Sequence, residues 1–249
     1  MLNRDRIVSQ LNNPQYERGL ILGDSADSTN LKVKEMAQKG AAEGVTLIVD
    51  RQTAGRGRLG RSFHSPEGGL YLSTLLRPAD PNPGLITCCA AVAAARAIES
   101  LCDLTVDIKW VNDLYVNGRK AAGILAEGIL DADGALTAVV LGIGINVGAT
   151  DFPDELSSIA TSLGNEGATL AREDVAAAFL NQLSLALTDP TAMEEYRRRN
   201  LVLGRQVTVV RGSETFAAVP ESITDEGHLI LRTADGVVTL SSGEVSLRL

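Results

Sequence analysis

Short apolar runs separated by polar or glycine-rich segments organise the first two thirds of the chain. The runs at 45–49 and 70–76 are short and mainly apolar, which is typical of buried strands. The polar segment 27–30 predicts the start of a short helix that ends near Gly40, because side chains of this type cap helix N-termini. Residues 51–69 lack apolar periodicity and contain five glycines, so we predict an irregular loop before the second strand.

An alanine-rich stretch at 84–101 carries apolar side chains at helical spacing. The repeat i, i+3, i+4, i+7 starts at Leu85 and predicts an amphipathic or wholly buried helix. Cys88 and Cys89 fall on this repeat. We therefore expect both in the core, where a free cysteine behaves as a small hydrophobe.

Strand patterns return after this helix and are joined by tight turns. Asn117-Gly118 supplies the residues that a two-residue hairpin turn needs, and Asp133-Gly134 predicts a second turn. We predict strands at 106–109, 114–116, 121–130 and 136–147, followed by helices at 169–187 and 191–199.

The pattern changes near residue 200 to short β-rich runs separated by glycines. Several short strands in about fifty residues are typical of a small barrel. We therefore predict a main domain at 1–200 and a small domain at 201–249 packed on it. The predicted strands of the small domain are 206–211, 214–219, 228–232 and 236–241.

Composition and charge narrow the class of protein. The 249 residues are 45% hydrophobic and 22% charged, which is ordinary for a globular chain. The formal net charge of −8 argues against a general nucleic-acid-coating protein, whose surface is basic. No stretch approaches the ~18 apolar residues that a membrane span needs, and the three cysteines lack the spacing of a disulfide framework. We therefore expect a cytoplasmic protein.

The glycine-rich loop is strongly basic although the chain is acidic. No acidic residue lies between positions 50 and 67. Arginine forks bind carboxylate or phosphate, and glycines let the backbone approach a ligand closely, so the loop predicts an anion site. A solvated basic loop, or one that touches RNA, is the alternative, and the spacing fits neither the dinucleotide fingerprint nor a P-loop. The arginines are Arg51, Arg56, Arg58 and Arg61.

Further polar groups lie at the ends of predicted strands. In the segment 109–113, a lysine, an amide and a carboxylate could hold a nucleotide phosphate and its Mg²⁺; an ordinary turn with a surface Lys–Asp pair is the alternative. Lys120 enters an apolar run and needs a partner for its charge, such as a bound anion. Gly142 and Gly144 lie in a predicted strand, where glycine indicates either close approach by another group or a bulge, and Asn146 follows them.

Together these segments resemble the biotin protein ligases, also called biotin–[acetyl-CoA-carboxylase] ligases. The resemblance is strong over residues 20–150, its Gly-Arg-Gly-Arg-Leu-Gly-Arg signature is highly specific, and the ending 243–248 looks like the family's C-terminal SH3-like domain. Residues 160–163 weakly resemble a segment near the family's adenine site. The other matching segments are Asp27-Ser28-Thr29-Asn30, Gln52, Lys109-Trp110-Val111-Asn112-Asp113, Arg119-Lys120 with Gly123-Ile124-Leu125, and 142–147.

This resemblance implies a fold of class α+β. The expected catalytic domain has a central mixed β-sheet with flanking helices, like class II aminoacyl-tRNA synthetases and biotin ligases, and a small SH3-like β-barrel follows it. The implied activity is adenylation of biotin by ATP with Mg²⁺, followed by transfer of the biotinyl group to a lysine of a carboxyl carrier protein or domain. The stretch before residue 20 is too short for a helix-turn-helix, so no DNA binding is expected, while a homodimer is compatible with the resemblance.

The resemblance also implies three sets of site residues. The catalytic set is Lys120, Arg56 and Arg58. The biotin-binding set is Ser28, Thr29, Asn30, Gln52, Gly55, Arg56, Gly57, Arg58, Lys120 and Gly123. The ATP-binding set is Arg58, Lys109, Trp110, Asn112, Asp113 and Asn146, and Asp113 is also the expected metal ligand.

Three alternatives and one departure qualify the resemblance, and one of the alternatives, an inactive structural homologue, is disfavoured because every charged member of the motif set is present. A lipoate–protein ligase has a related fold and chemistry but usually lacks the arginine signature, and a non-catalytic regulator could use the arginine loop to bind nucleic acid. Val111 stands where the family commonly has proline, which removes no functional group.

Overall fold

The computed structural model describes residues 2–241 and 246–248, and the chain folds around two β-sheets. In the described part, the larger sheet has seven strands in the order β1-β2-β3-β7-β6-β5-β4. Its strands are β1 (Leu20–Ala26), β2 (Thr46–Gln52), β3 (Leu70–Leu76), β4 (Asp107–Lys109), β5 (Asp113–Val116), β6 (Arg119–Leu130) and β7 (Leu136–Ile145). Strands β1 and β2 run parallel and the other described neighbours antiparallel, so the predicted mixed sheet is confirmed.

Helices flank this sheet, as predicted for an α+β fold. The described helices are α1 (Arg4–Val8), α2 (Pro14–Gly19), α3 (Thr29–Gln38), α4 (Pro83–Glu99), α5 (Asp154–Ser157), α6 (Arg172–Ala186) and α7 (Ala192–Arg198). The two N-terminal helices and β1 were not predicted. Ile7 of α1 and Tyr16 of α2 are both buried, so each of these helices contributes a side chain to the core.

Helix α4 is the buried helix that the sequence pattern predicts. Asn82 caps its start by accepting hydrogen bonds from two backbone N–H groups, and Pro83 occupies the first turn, where a missing N–H costs nothing. Burial raises the pKa of the Cys88 thiol to about 12 and that of Cys89 to about 11. Both cysteines are therefore neutral core residues, as predicted.

A second, antiparallel sheet follows α7 and is consistent with a small barrel. Its described strands are β8 (Val207–Arg211), β9 (Glu214–Ile223), β10 (Leu229–Thr233), β11 (Gly236–Leu240) and β12 (Ser246–Arg248), in the order β11-β10-β9-β8-β12. Residues 243–245 of the predicted SH3-like ending lie outside the described residues. The turn between β9 and β10 contacts the first part of the chain at Gly227, whose carbonyl accepts a 3.0 Å hydrogen bond from Trp110 Nε1. The boundary near residue 200 stays a prediction.

The predicted hairpin turn is confirmed, whereas the predicted loop differs in part. Asn117 and Gly118 both have positive φ, of 50° and 77°, as the predicted hairpin turn requires. The loop predicted at 51–69 is partly regular, because β2 continues to Gln52 and a single 3-10 turn forms at Arg58–Gly60. No helix among the described residues is long and apolar enough to cross a membrane.

Charged side chains tie α4 to the segment around α7. Arg96 Nη2 lies 2.7 Å from Glu195 Oε2 and 2.8 Å from Asp189 Oδ2. Arg199 Nη1 lies 2.7 Å from Glu99 Oε1. Hydrogen bonds from Thr191 and Arg96 lower the pKa of Asp189 to about 2. Burial alone would raise the pKa of Glu195, but hydrogen bonds from Arg96 and Arg199 lower it below its usual value.

This network predicts a loss of stability in acid. Carboxyl groups whose pKa is lower in the folded than in the unfolded chain stabilise the fold above the unfolded pKa, and that contribution disappears as the pH falls through the folded pKa. We therefore expect the free energy of unfolding to decrease between about pH 5 and about pH 2, and to decrease less in Glu195→Gln. Urea titrations across this range measure it. Glu221→Gln, in an exposed ion pair with Arg232, is the control, and equal slopes in wild type and Glu195→Gln would contradict the role of the network.

Candidate active site

A cavity of about 530 Å³ opens over the centre of the larger sheet, next to the glycine-rich loop. Its volume is in the range of small-molecule sites. Except for Gly55, every site residue predicted from the sequence lines it, so residues spread over more than a hundred positions come together at one place. The predicted residues that line it are Ser28, Thr29, Asn30, Gln52, Arg56, Gly57, Arg58, Lys109, Trp110, Asn112, Asp113, Lys120, Gly123 and Asn146.

Residues 55–63 form a small hairpin at the cavity, which we call the flap. Its backbone closes through hydrogen bonds from Gly57 N to Arg61 O, at 2.7 Å, and from Phe63 N to Gly55 O, at 2.9 Å. Gly60 has a φ of 73°, which glycine adopts without strain. A Cβ on Gly55 would lie 2.5 Å from Phe63 O, so glycine at this position lets the flap close on itself.

The aromatic ring of Phe63 packs against the larger sheet and so connects the flap to it. A Cβ on Gly144 would lie 2.4 Å from this ring, and one on Gly123 would lie 3.2 Å from it. These two glycines face each other on neighbouring strands, so together they make the flat surface on which the ring lies. Lys120 Nζ is 5.8 Å from the centre of the same ring, within the range of a cation–π contact.

The side chain of Asn30 packs on the larger sheet at Gly142 of β7. A Cβ on Gly142 would lie 1.9 Å from Asn30 Oδ1, so only glycine leaves room for this side chain. The register of Gly142 with Ser73 and Leu125 is continuous, so the close approach predicted from sequence is confirmed and the alternative of a bulge is wrong here. Asn30 Oδ1 lies 2.6 Å from Ser73 Oγ, and Asn30 Nδ2 donates to Leu125 O at 3.1 Å.

One end of the cavity is lined by uncharged polar groups. Gln52 Oε1 accepts hydrogen bonds from Thr29 N, at 2.8 Å, and from Thr29 Oγ1, at 3.1 Å. Ser28 is buried at the start of α3, and its hydroxyl makes no capping hydrogen bond within the described residues. Amide and hydroxyl groups therefore line this end of the cavity.

The other end of the cavity is positively charged. Arg58 Nη1 donates to Asn112 Oδ1 at 3.1 Å, whereas Arg58 Nη2 is buried and has no hydrogen-bond partner among the described residues. Burial lowers the pKa of Arg58 and also that of Lys109, because water no longer solvates either charge. Leaving a buried cationic donor unpaired is costly, so this end is suited to an anion.

Lys120 and Asp113 form the ion pair of the site. Their Nζ and Oδ1 atoms lie 2.7 Å apart, and this buried oxygen has no hydrogen-bond partner besides that ion pair in the described part of the chain. The predicted alternative was a surface pair between Lys109 and Asp113. In the structure Asp113 pairs with Lys120 from the adjacent strand, and Lys109 instead lies 5.7 Å from the centre of the Tyr115 ring.

Asn146 and Trp110 line the cavity, and each is held by a hydrogen bond to a backbone carbonyl. Asn146 Nδ2 donates to Thr161 O at 2.9 Å, which places the segment 160–163 beside the cavity. The Trp110 N–H is used by Gly227, so only its ring is available to a ligand. Val111, buried behind them, follows a cis peptide bond.

Sequence reasoning missed three residues that shape the cavity. Phe63 and Ser73 were not singled out because an aromatic residue in a loop and a serine in an apolar strand are both common. Glu127 carried a stronger signal, since it is an acidic residue within an otherwise apolar strand. Its Oε1 lies 3.2 Å from Arg56 Nη1 on the flap.

Residues 51–68, which include the flap, are expected to be more mobile without ligand than with it. The glycines and mutually repelling arginines of this segment weaken its ligand-free conformation until an anion binds. We expect residues 51–68 to exchange backbone hydrogens faster in the ligand-free protein than with biotin and ATP, while the buried amides of α4 do not change. Hydrogen-exchange mass spectrometry measures this, and equal protection of the flap in both states would count against it.

Comparisons with known proteins agree with this geometry. The model of the "Biotin/lipoate A/B protein ligase family" matches residues 22–146, and that of the "Biotin protein ligase C terminal domain" matches residues 202–248. A Bacillus spizizenii protein named "Bifunctional ligase/repressor BirA" is 36% identical over 242 residues, which cover 92% of this chain and 74% of the relative. A Mycobacterium tuberculosis protein named "Biotin--[acetyl-CoA-carboxylase] ligase" is 32% identical, with 98% of each chain covered.

A solved structure shows the same fold. The chain resembles a biotin protein ligase from Aquifex aeolicus in complex with biotin and ATP, with a TM-score of 0.80 and 32% sequence identity. The match covers 93% of this chain and 99% of that chain.

Proposed function

The chain belongs to the biotin/lipoate A/B protein ligase family, and on that premise we propose that it is an ATP-dependent biotin–protein ligase. The observation that carries the proposal is the buried, partly unpaired guanidinium of Arg58 beside the Lys120–Asp113 pair. A carboxylate and a phosphate brought together at this point would supply the missing partners. An uncharged polar pocket lies at the opposite end of the same cavity.

The proposed reaction has two steps. In the first, a carboxylate oxygen of biotin attacks the α-phosphorus of ATP, the bond to the β-phosphate oxygen breaks, and biotinyl-5′-AMP and pyrophosphate form. In the second, the neutral amine of an acceptor lysine attacks the carboxyl carbon, the bond to the AMP oxygen breaks, and an amide, AMP and a proton result. Neither step needs a covalent enzyme intermediate.

Lys120 and Arg58 carry the first step by neutralising charge. Two anions must approach each other for the carboxylate to attack, and two fixed cations at that point lower the cost of the approach. Asp113 holds the Lys120 ammonium in place, and Asn112 holds Arg58. Lys109 adds a third positive charge for the remaining phosphates.

The uncharged end of the cavity favours biotin over lipoate. The ureido ring of biotin has two N–H donors and a carbonyl acceptor, which match the hydroxyl of Ser28 and the amide of Gln52. The dithiolane ring of lipoate has no N–H donor or carbonyl to match these groups and would leave the buried Ser28 hydroxyl without a ligand partner, which is costly. The Gln52 amide is already oriented by Thr29.

The residues present fit a magnesium ion that is shared with ATP. The described residues contain no cluster of three acidic, histidine or cysteine side chains, so a site made of protein ligands alone is not provided there. Asp113 nevertheless offers a buried carboxylate oxygen that has no described hydrogen bond besides its ion pair with Lys120. Mg²⁺ is commonly held by one or two carboxylates together with substrate phosphates, and bound in this way it neutralises phosphate charge.

The proposed acceptor is a lysine of a biotin carboxyl carrier protein, or of the carrier domain of a biotin-dependent carboxylase. The proposals that the chain does not bind DNA and that it can form a homodimer stay predictions.

Pyrophosphate release tests the proposal. The protein is incubated with ATP, Mg²⁺ and either biotin or lipoate. We expect biotin to stimulate release strongly and lipoate to stimulate it little, because the polar end of the cavity has no partner in the dithiolane ring. Equal stimulation by lipoate, or no stimulation by biotin, would contradict the assignment.

A further inference from the structure

Glu127 is a half-buried carboxylate between the flap and the sheet, and the proposed reaction assigns it no role. It lies on β6, and its side chain is 20% exposed. Its Oε1 is 3.2 Å from Arg56 Nη1, and its Oε2 accepts a 2.9 Å hydrogen bond from Asn30 Nδ2. One carboxylate therefore joins the flap to the side chain that covers the central strands.

Asn30 is fully occupied by these contacts. Both of its N–H bonds are used, one by Leu125 O and one by Glu127, and its oxygen lies against Ser73 Oγ. Although it lines the cavity, its amide therefore orients neighbouring groups instead of offering free donors to a ligand. This refines the prediction that Asn30 binds biotin.

The contacts of Asn30 are part of a longer chain of polar groups around the cavity. Ser65 Oγ donates to Phe63 O at 2.9 Å, and Gln52 Nε2 donates to Ser65 Oγ at 3.0 Å. Gln52 then accepts from Thr29, whose Oγ1 lies 2.7 Å from Ser73 Oγ. Ser73 contacts Asn30, and Asn30 donates to Glu127. Glu127 in turn pairs with Arg56.

This series of hydrogen-bonded groups begins and ends in the flap. Phe63 and Arg56 are its two ends, and they belong to opposite arms of the same hairpin. The ion pair between Glu127 and Arg56 closes this series of polar groups into a ring, which we call the polar ring. Hydrogen-bonded networks act as units, so the loss of one member affects the orientation of the others.

We propose that Glu127 is a positioning residue that sets the ligand-free geometry of the flap and of the uncharged pocket together. The inference rests on the proposed function and deepens it. Glu127 acts through Arg56 and Asn30 and does not contact the reacting atoms. Arg58, although part of the flap, is also held by Asn112, and Lys120 is held by Asp113, so each of these two cations keeps a contact that does not involve Glu127.

We therefore expect substitution of Glu127 to change the KM for biotin but not kcat. Glu127→Gln keeps an acceptor for Asn30 but removes the charge that holds Arg56. We expect it to raise the KM for biotin about tenfold, the size expected for a lost charge-assisted hydrogen bond, and to leave kcat for pyrophosphate release within about twofold. Glu127→Ala should raise KM further, because it also removes the acceptor for Asn30.

A double-mutant cycle tests the route of the effect. If Glu127 acts through Arg56, Glu127→Gln adds nothing to the KM of an Arg56→Gln variant. Glu67→Gln is the matched control, because Glu67 lies 4.0 Å from the loop residue Arg51, in an exposed ion pair that shares no described contact with the polar groups around the cavity. We expect it to resemble wild type.

Hydrogen exchange of the ligand-free variants gives a readout that does not depend on activity. Residues 55–63 should lose protection in Glu127→Gln but not in Glu67→Gln. A KM within twofold of wild type, independent effects of Glu127→Gln and Arg56→Gln, or an unchanged flap in Glu127→Gln would each overturn the inference. A wild-type protein that forms no adenylate would instead contradict the proposed function, and the exchange comparison would still decide the role of Glu127.

Discussion

Lys120→Ala is expected to abolish adenylate formation while the protein stays folded. The lysine ammonium is the charged group that lies directly against Asp113 at the cationic end of the cavity. Without it, one fixed positive charge fewer would act where the biotin carboxylate meets the α-phosphate. The carboxylate of Asp113 would also be left there without its partner. Removal of a single group that stabilises transition-state charge costs on the order of a hundredfold to a thousandfold in kcat, and we expect the upper end here because the remaining Asp113 charge also repels the phosphate.

Initial rates of biotin-dependent pyrophosphate release measure this effect. The Lys120 side chain is about one-third exposed, so its loss should change the free energy of unfolding by no more than about 1 kcal/mol. Lys39→Ala, which removes an exposed lysine after α3, is the control and should keep wild-type rates. Pyrophosphate release by Lys120→Ala at the wild-type rate would show that Lys120 does not act at the reacting phosphate.

Gly142→Ala is expected to disrupt the uncharged end of the cavity. The new methyl group would lie 1.9 Å from Asn30 Oδ1, so Asn30 must move. That movement breaks its contacts with Ser73, Leu125 and Glu127 in a buried position. Overpacking together with the lost hydrogen bonds should lower the free energy of unfolding by about 3 kcal/mol. The affinity for biotin should fall at least about a hundredfold, because the pocket is no longer preorganised.

Gly23→Ala is the matched control for this prediction. Gly23 also lies in a strand of the larger sheet, but the nearest atom to its added Cβ is a side-chain carbon of Val49 at 3.5 Å, which is an ordinary contact. We expect its free energy of unfolding to stay within about 0.5 kcal/mol of wild type. Calorimetric titration with biotin and urea unfolding measure both variants. Biotin affinity unchanged in Gly142→Ala would disprove the packing of Asn30 on the central strand.

The parts of the site with a local chemical signature could be predicted from sequence. The basic loop was recognisable because arginines and glycines lie close together without acidic residues, and the structure places it at the cavity as the flap. Gly142 and Gly144 were recognisable because glycine is unusual in an apolar strand. The sequence could not say which side chains approach them, since Asn30 and Phe63 come from distant segments.

The sequence pattern does not predict β1, α1 or α2, because contacts with residues distant in sequence stabilise them. Strand β1 has no clear alternation of apolar and polar residues, and its extended form is supported by parallel pairing with β2. Helices α1 and α2 are only five and six residues long, too short to show a periodic pattern. Glu127 and Ser73 belong to one polar ring, but Asn30, which connects them, lies far from both in sequence.

The central claim is that one cavity joins a biotin carboxylate to the α-phosphate of ATP. Biotin labelled with a heavy oxygen isotope in its carboxyl group tests this most directly. The labelled biotin, ATP, Mg²⁺ and a carrier domain are incubated with the protein, and the AMP produced is analysed by mass spectrometry. If the carboxylate attacks the α-phosphorus and the amine then displaces AMP, each AMP carries one heavy oxygen from fully labelled biotin. AMP without the label, formed alongside biotinylated carrier, would contradict the account.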